Sequence, residues 1–470
     1  MSTVAAPSFP IEPTSLPTGA NEELAGPPQL APVSAADRIS AIDTMRGFCL
    51  MGILLANITD FALPGWNYFF PLTTVKPVFN GAHWQINTIV WFLRWMFAEG
   101  RMRSVFSMLF GAGIILLTSR MEKRGAPVLG VFVRRNLWLI LFGFLHCVLI
   151  WNGDILFYYG ISALVLFPCR HLKPKALIAI GILFLIGNTL IVPVKQTIRT
   201  AHYKQAADQA NAELALHETP TPAQIAALKN WESEERRWRP DTEALYEDIA
   251  AHQHGYIVSQ RADVHDALEG MFRSAHTFGD WLSLMLFGMA LFKLGFFSLK
   301  LPTRTYVISA IVGLGVSLPI TFWGCWVAYR SGFDEFVTAH SLLYPADFTR
   351  VLGAVGYASV ILLMVRGGVF RWLLARFAAV GQMAFSNYIL NSLVMKTLFV
   401  WGPLHWYGYM DYYKLYLVVA AEWVVNMTFS TLWLKNFRFG PLEWCWRSLT
   451  YWKRQPMALP PAKPELVTAS

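Results

Sequence analysis

The hydrophobic positions of this chain come in long unbroken runs, with neither the alternation of a strand nor the narrow stripe of a surface helix. Such runs predict spanning helices at roughly 41–62, 103–121, 134–152, 154–169, 174–196, 277–298, 304–328, 348–366, 381–402 and 413–435. The expected fold class is all-α: a polytopic membrane helix bundle of about ten transmembrane helices. A further segment, 84–99, is Trp-rich, short and interrupted by Arg94, and reads as an interfacial or re-entrant helix or as an eleventh span.

One region breaks the pattern. Residues 197–275 are too polar to span but keep helical spacing, over Tyr203–Leu216 and again over Gln224–Arg237, around a Thr-Pro-Thr-Pro break at 219–222. This insert separates an N-terminal membrane half, 38–196, from a C-terminal half, 276–452. Residues 1–37 hold seven prolines, four acids and no Lys or Arg, which is the composition of a disordered tail. A second tail covers 453–470.

Composition agrees with a lipid-embedded chain, being 55% hydrophobic and only 15% charged. The net charge of +9 does not imply nucleic acid, because the insert is itself acidic and the remaining bases cluster at the ends of the apolar runs. Arg120, Lys123, Arg134 and Arg135, then Arg170 to Lys175, Lys300 and Arg304, Arg366 to Arg376, and Lys435 to Arg454 fall in every second connection. The positive-inside rule makes those connections cytoplasmic. Both termini are then inside a bacterial inner membrane, and the insert is extracytoplasmic. Five cysteines without a C-x-x-C pair, and no His at ligand spacing, support neither a disulfide framework nor a metal site.

Polar residues inside the runs are the candidates for chemistry, since burying them in hydrocarbon costs several kcal/mol unless they meet partners. The first run carries Asp43, Arg46 and Asn57. Arg46 and Asn57 are three turns apart on one stripe, with Asp43 one turn earlier. His146 sits about five residues below the external end of its helix, a depth matching that of Asn57, and Asp154 follows an Asn-Gly turn from which it can fold back to orient the imidazole. Asn387 and Asn391 form an i,i+4 pair, as do Glu422 and Asn426; such ladders hold helices together, while Glu422 could also contact substrate or relay protons. Arg134 and Arg135, at the foot of the His146 helix, could receive a phosphate, although topology alone explains them.

Several of these residues lie in motifs. Asp43-Thr-Met-Arg46-Gly with Asn57, Ser104-Val-Phe-Ser-Met-Leu-Phe-Gly-Ala-Gly, Gly143-Phe-Leu-His146 with Trp151-Asn-Gly-Asp154, Val380-Gly-Gln-Met-Ala-Phe-Ser-Asn387-Tyr and Phe437-Arg-Phe-Gly-Pro-Leu-Glu443-Trp-Cys-Trp-Arg447 occur in order. Together they resemble the YeiB-like family of bacterial inner-membrane proteins, over about residues 38–452. The first helix is also distantly similar to the transmembrane acyltransferases. In heparan-α-glucosaminide N-acetyltransferase an Arg is followed eleven residues later by Asn, as in Arg46 and Asn57; acyltransferase-3 enzymes place a His at that second position. The glucosaminide enzyme's His in the following external loop has no counterpart here before His83.

The resemblance implies an acyltransferase that moves an acyl group from cytoplasmic acyl-CoA, its co-substrate, to an extracytoplasmic hydroxyl or amine such as an envelope glycan. Asp43, Arg46, Arg134, Arg135, Asn387 and Glu422 would contact substrate. Asn57 would donate to the thioester oxygen, and His146 with Asp154 would take the acceptor proton. A permease for a small solute is the alternative. Expected partners are membrane lipid, the acceptor and, in one reading, a second copy of the chain.

Overall fold

The computed structural model describes residues 40–68, 81–215, 220–238, 242–273 and 277–459. The tail 1–37 and most of the tail 453–470 lie outside them. Among the described residues the chain is helical, and its strand-like pairing is confined to an isolated bridge between Phe437 and Ala458.

The first membrane half comprises α1 (Ser40–Ala62), α2 (Trp84–Leu93), α3 (Arg101–Lys123), α4 (Val128–Leu149), α5 (Leu156–Leu166) and α6 (Pro174–Ile186). The polar insert folds as α7 (Val192–Leu214), α8 (Pro222–Trp238), α9 (Thr242–Ala251) and α10 (Tyr256–Arg273). The second half follows with α11 (Thr277–Lys293), α12 (Thr303–Arg330), α13 (Glu335–Thr338), α14 (Tyr344–Gly367), α15 (Arg371–Gln382), α16 (Ala384–Lys396), α17 (Tyr412–Trp433) and α18 (Pro441–Tyr451). Short π-helical turns at Arg94–Ala98, Gly187–Ile191, Ala339–Leu343 and Thr397–Trp401 join or prolong neighbouring helices.

Seven helical runs among the described residues are long and apolar enough to cross a membrane: Ser40–Ala62, Trp84–Lys123, Val128–Leu149, Pro174–Leu214, Thr303–Arg330, Phe336–Gly367 and Tyr412–Trp433. The other three expected spans are shorter helices, α5, α11 and α16. The segment 84–99 forms α2 and the π turn at Arg94–Ala98, and a backbone break at Glu99 and Gly100, where Gly100 takes φ 67°, separates it from α3.

Helix α1 is the centre of the bundle, buried along most of its length and packed on α3, α15, α16 and α17. Its crossing with α15 depends on two glycines. A Cβ on Gly47 would overlap the Phe377 carbonyl, and one on Gly381 would overlap that of Asp43, so the two backbones touch directly. The outward faces of α6 and α12 instead expose large apolar side chains, among them Leu183, Ile186, Ile311 and Trp323, as a lipid-facing surface requires.

The bundle has two chemically different ends. At the basic end, Arg366 donates to the Leu299 and Leu301 carbonyls, Lys293 to those of Arg170 and Leu172, and Arg134 to that of Thr450. At the other end the insert docks: Tyr256 donates to the Leu149 carbonyl, Gln260 to that of Val148, and Tyr158 to that of Gly270. There Asp263 of α10 accepts from His252 at 3.0 Å and from Lys396 at 2.8 Å, and the His252 ring stacks on Tyr407 at 4.4 Å. These contacts pin the insert over the ends of α4, α5 and α16.

Candidate functional site

Helix α4 presents Phe132, Arg135, Asn136, Leu139, Gly143 and His146 on one face, at helical spacing. At the deep end of that face His146 Nδ1 lies 2.8 Å from Asp154 Oδ1, with neither side chain exposed. Asp154 also caps α5, its second oxygen accepting the Phe157 amide at 2.8 Å. Gly143 allows the fold-back, because a Cβ there would overlap the Phe157 amide and stand 2.8 Å from Asp154 Oδ2.

This geometry fixes the imidazole. With the carboxylate accepting, the proton belongs on Nδ1 and Nε2 keeps its lone pair. Nε2 is buried and has no hydrogen-bond partner among the described residues. The ring stands between Tyr388, at 5.2 Å, and Trp151, at 6.2 Å. Trp151 reaches the insert end of α1, packing on Phe61 at 4.3 Å and donating to Asp60 at 2.8 Å.

Tyr388 faces the other way, into a cavity of about 250 Å³ that opens toward the basic end. Its mouth carries Arg46, Arg120, Arg135 and Arg447 with the acids Asp43 and Glu443. Both acids are already engaged. Asp43 accepts from Arg46 at 3.1 Å, and Glu443 accepts the Phe385 and Ser386 amides at 2.7 and 3.2 Å, holding the N-terminus of α16. The mouth therefore keeps an excess of positive charge. The shaft beyond is apolar, walled by Leu50, Phe110, Leu139 and Phe385, and ends against Ile155, Tyr159 and Tyr388. Ile155 is the chain neighbour of Asp154, so the dyad stands one side chain behind the deep wall.

Of the residues singled out from sequence, the structure brings His146 to Asp154 and places Asp43, Arg46 and Arg135 on the cavity. Arg135 also stacks on Trp446 at 3.7 Å. Arg134 turns away, bonding the Thr450 carbonyl and tying α4 to α18. Asn387 donates to Ser430 Oγ at 2.8 Å, while Asn426 donates to Asn391 and Glu422 at 2.7 and 3.1 Å; this ladder joins α16 to α17 away from the cavity. Asn57 is half-buried and is not part of the cavity wall. No hydrogen bond or ring contact among the described residues joins it to His146. The α1 residue that reaches the dyad's surroundings is Asp60, one turn further along the Arg46–Asn57 stripe, and that stripe was the signal that could have found it. Arg120 and Arg447 read from sequence as topology alone, and Tyr388 carries no signal beyond its neighbour Asn387.

A bundle of long apolar helices with an arginine-rimmed cavity at one end and a docked polar insert at the other defines a polytopic α-helical membrane protein. Residues 291–453 match the family model described as a protein of unknown function (DUF418). Across nearly the whole chain there is similarity to the uncharacterized protein YeiB of Escherichia coli K12, 29% identical over 432 residues, covering 88% of this chain and 96% of the relative. The uncharacterized protein YxaH of Bacillus subtilis 168 is 28% identical over 436 residues, covering 91% of this chain and 98% of the relative. The chain thus resembles the YeiB-like proteins over nearly its whole length, and the DUF418 match covers its C-terminal part. No solved structure matches it.

Proposed function

We propose that the chain is an integral-membrane acyltransferase of the bacterial inner membrane, taking an acyl group from acyl-CoA at the basic, cytoplasmic end and passing it to a hydroxyl or amine acceptor at the insert end. One observation carries the reading: an apolar shaft with an arginine mouth ends at Tyr388, whose ring lies 5.2 Å from an oriented, buried His–Asp pair. A phosphate-bearing head with a long, thin, uncharged arm matches such a cavity, the head at Arg46, Arg120, Arg135 and Arg447 and the arm in the shaft.

In this reading Nε2 of His146 takes the proton of the acceptor as its oxygen or nitrogen attacks the thioester carbonyl. The carbon–sulfur bond then breaks, and the departing thiolate recovers that proton from the imidazolium. Asp154 holds the ring and offsets the charge that forms on it, a role worth several kcal/mol in comparable His–carboxylate pairs. Asn57, outside the cavity wall, is assigned no step.

The test is incubation of the purified full chain in nanodiscs with radiolabelled acetyl-CoA, measuring transfer of label to an added glycan or amine acceptor and loss of acetyl-CoA. Turnover that His146→Gln abolishes while the protein still binds acetyl-CoA supports the proposal. Turnover unchanged in that variant removes the dyad from the reaction. Acyl-CoA-independent uptake of a labelled solute into proteoliposomes would favour a permease instead.

A further inference from the structure

A second cavity, of about 290 Å³, lies in the insert-end half of the bundle between the start of α3, α12 and the start of α14. Two π-helical turns contribute to its wall, through Trp95 on one side and Ser341 to Leu343 on the other. Such turns widen a helix and recur at binding sites.

The distribution of charge and donors around this cavity is lopsided. Arg101, in the wall, is 2% exposed and has no carboxylate within ion-pair distance among the described residues. Its guanidinium donates to the Trp95 carbonyl at 2.8 Å and to Thr321 Oγ1 at 2.6 Å, both neutral acceptors. Glu99 and Arg350 also line the cavity, and the charges around Arg101 are matched among themselves: Arg94 with Glu99, Arg103 with Asp280, and Arg350 with Asp347 and Asp280. That leaves one buried positive charge without a counterion. Two buried donors, Nε of Arg101 and Nε1 of Trp95, have no acceptor among the described residues. The α3 N-terminus, at Gly100 and Arg101, adds its positive dipole end. An unpaired buried cation is costly, and the fold makes room for it, since a Cβ on Gly353 would stand 2.7 Å from Arg101 Nε.

We infer that this cavity is a binding site for a monoanionic oxyanion, a carboxylate or phosphodiester group carried on an apolar body, with Arg101 as its counterion. A single negative charge balances the single unmatched positive one, and the acceptor oxygens answer the two orphaned donors. The opposite wall, Ile320, Leu342, Leu343, Pro345 and Ala346, suits the apolar substituent. Access is from the insert end. A larger groove of about 830 Å³, between α7, α8 and the turn at Ala339–Leu343, shares Tyr344 with the cavity. The inference does not depend on acyl transfer.

The group could come from a soluble metabolite or from an anionic lipid headgroup, and the experiment separates these sources. The full chain in phosphatidylcholine nanodiscs is titrated with butyrate and with diethyl phosphate by calorimetry and thermal unfolding. A parallel set in phosphatidylglycerol nanodiscs carries the lipid source. Saturable binding of either soluble anion, weakened roughly tenfold or more by Arg101→Gln, supports a soluble ligand. Stabilisation in phosphatidylglycerol over phosphatidylcholine that disappears in Arg101→Gln supports a lipid headgroup. Ala346→Leu, which fills the cavity without touching the arginine, should abolish either effect and keeps the test open should Arg101→Gln fail to fold. Anion and lipid responses equal in wild type and Ala346→Leu overturn the inference.

Discussion

Nδ1 of His146 lies 2.8 Å from Oδ1 of Asp154, and the same carboxylate caps helix α5 through the Phe157 amide. One side chain therefore fixes an imidazole and starts a helix. Asp154→Asn should consequently have two effects: a loss of roughly 1 kcal/mol or more of stability from the weakened cap, and loss of acyl transfer because an amide no longer dictates the tautomer. Thermal unfolding and a turnover assay on the same preparation separate the two, since His146→Gln should spare the cap while losing activity.

Gly143→Ala tests the fold-back itself. The added methyl collides with the Phe157 amide and crowds Asp154, so the turn after α4 must shift. Overpacking of this kind costs about 1–3 kcal/mol. A lowered unfolding midpoint with lost turnover is expected; unchanged values in both would mean that the turn is not held against α4.

Adjacent arginines should behave differently. Arg135 lines the cavity mouth, so Arg135→Ala should weaken acetyl-CoA binding, and the wild-type affinity should fall as salt is raised. Arg134 bonds a backbone carbonyl on α18, so Arg134→Ala should cost about 1 kcal/mol of stability and leave binding alone. Equilibrium binding of labelled acetyl-CoA to both variants decides the point.

The docking of the insert should depend on pH through His252 and Asp263. Against the opposing effect of burial, the carboxylates of Asp248 and Asp263 raise His252 to about 9, and His252 with Lys396 lowers Asp263 to about 2. A raised histidine stabilises the folded state fully below its ordinary 6.5 and loses that contribution as pH climbs through 9. A lowered aspartate stabilises above its ordinary 3.8 and loses that contribution as pH falls toward 2. Protection of the α10 amides, taken relative to the intrinsic exchange rate at each pH, should therefore be greatest between about pH 4 and 6.5. His252→Gln should remove the alkaline limb, and protection independent of pH would exclude this pair as the anchor.

Glu443 anchors α16 from a distance in sequence. Glu443→Gln leaves the Phe385 and Ser386 amides facing a neutral group, and a loss of about 1–2 kcal/mol is expected from the unfolding midpoint. Because Phe385 and Tyr388 wall the cavity, the same variant should weaken acetyl-CoA binding.

By itself the sequence determined the class of fold: unbroken apolar runs must become helices in lipid, where backbone groups can be satisfied only internally. It also marked His146 with Asp154 as a pair, because an Asn-Gly turn links them within eight residues. Only the tertiary structure decided what shares a wall. Arg46, Arg120, Arg135 and Arg447 converge from four helices, and no local pattern encodes that convergence. The helical rotation of α1 left Asn57 off the cavity and sent Asp60 toward Trp151, while Asn387 and Glu422 went to helix contacts. A stripe on a single helix records which residues face together. What they face is set by how the neighbouring helices pack, and here by glycines such as Gly47 and Gly381 that let backbones meet.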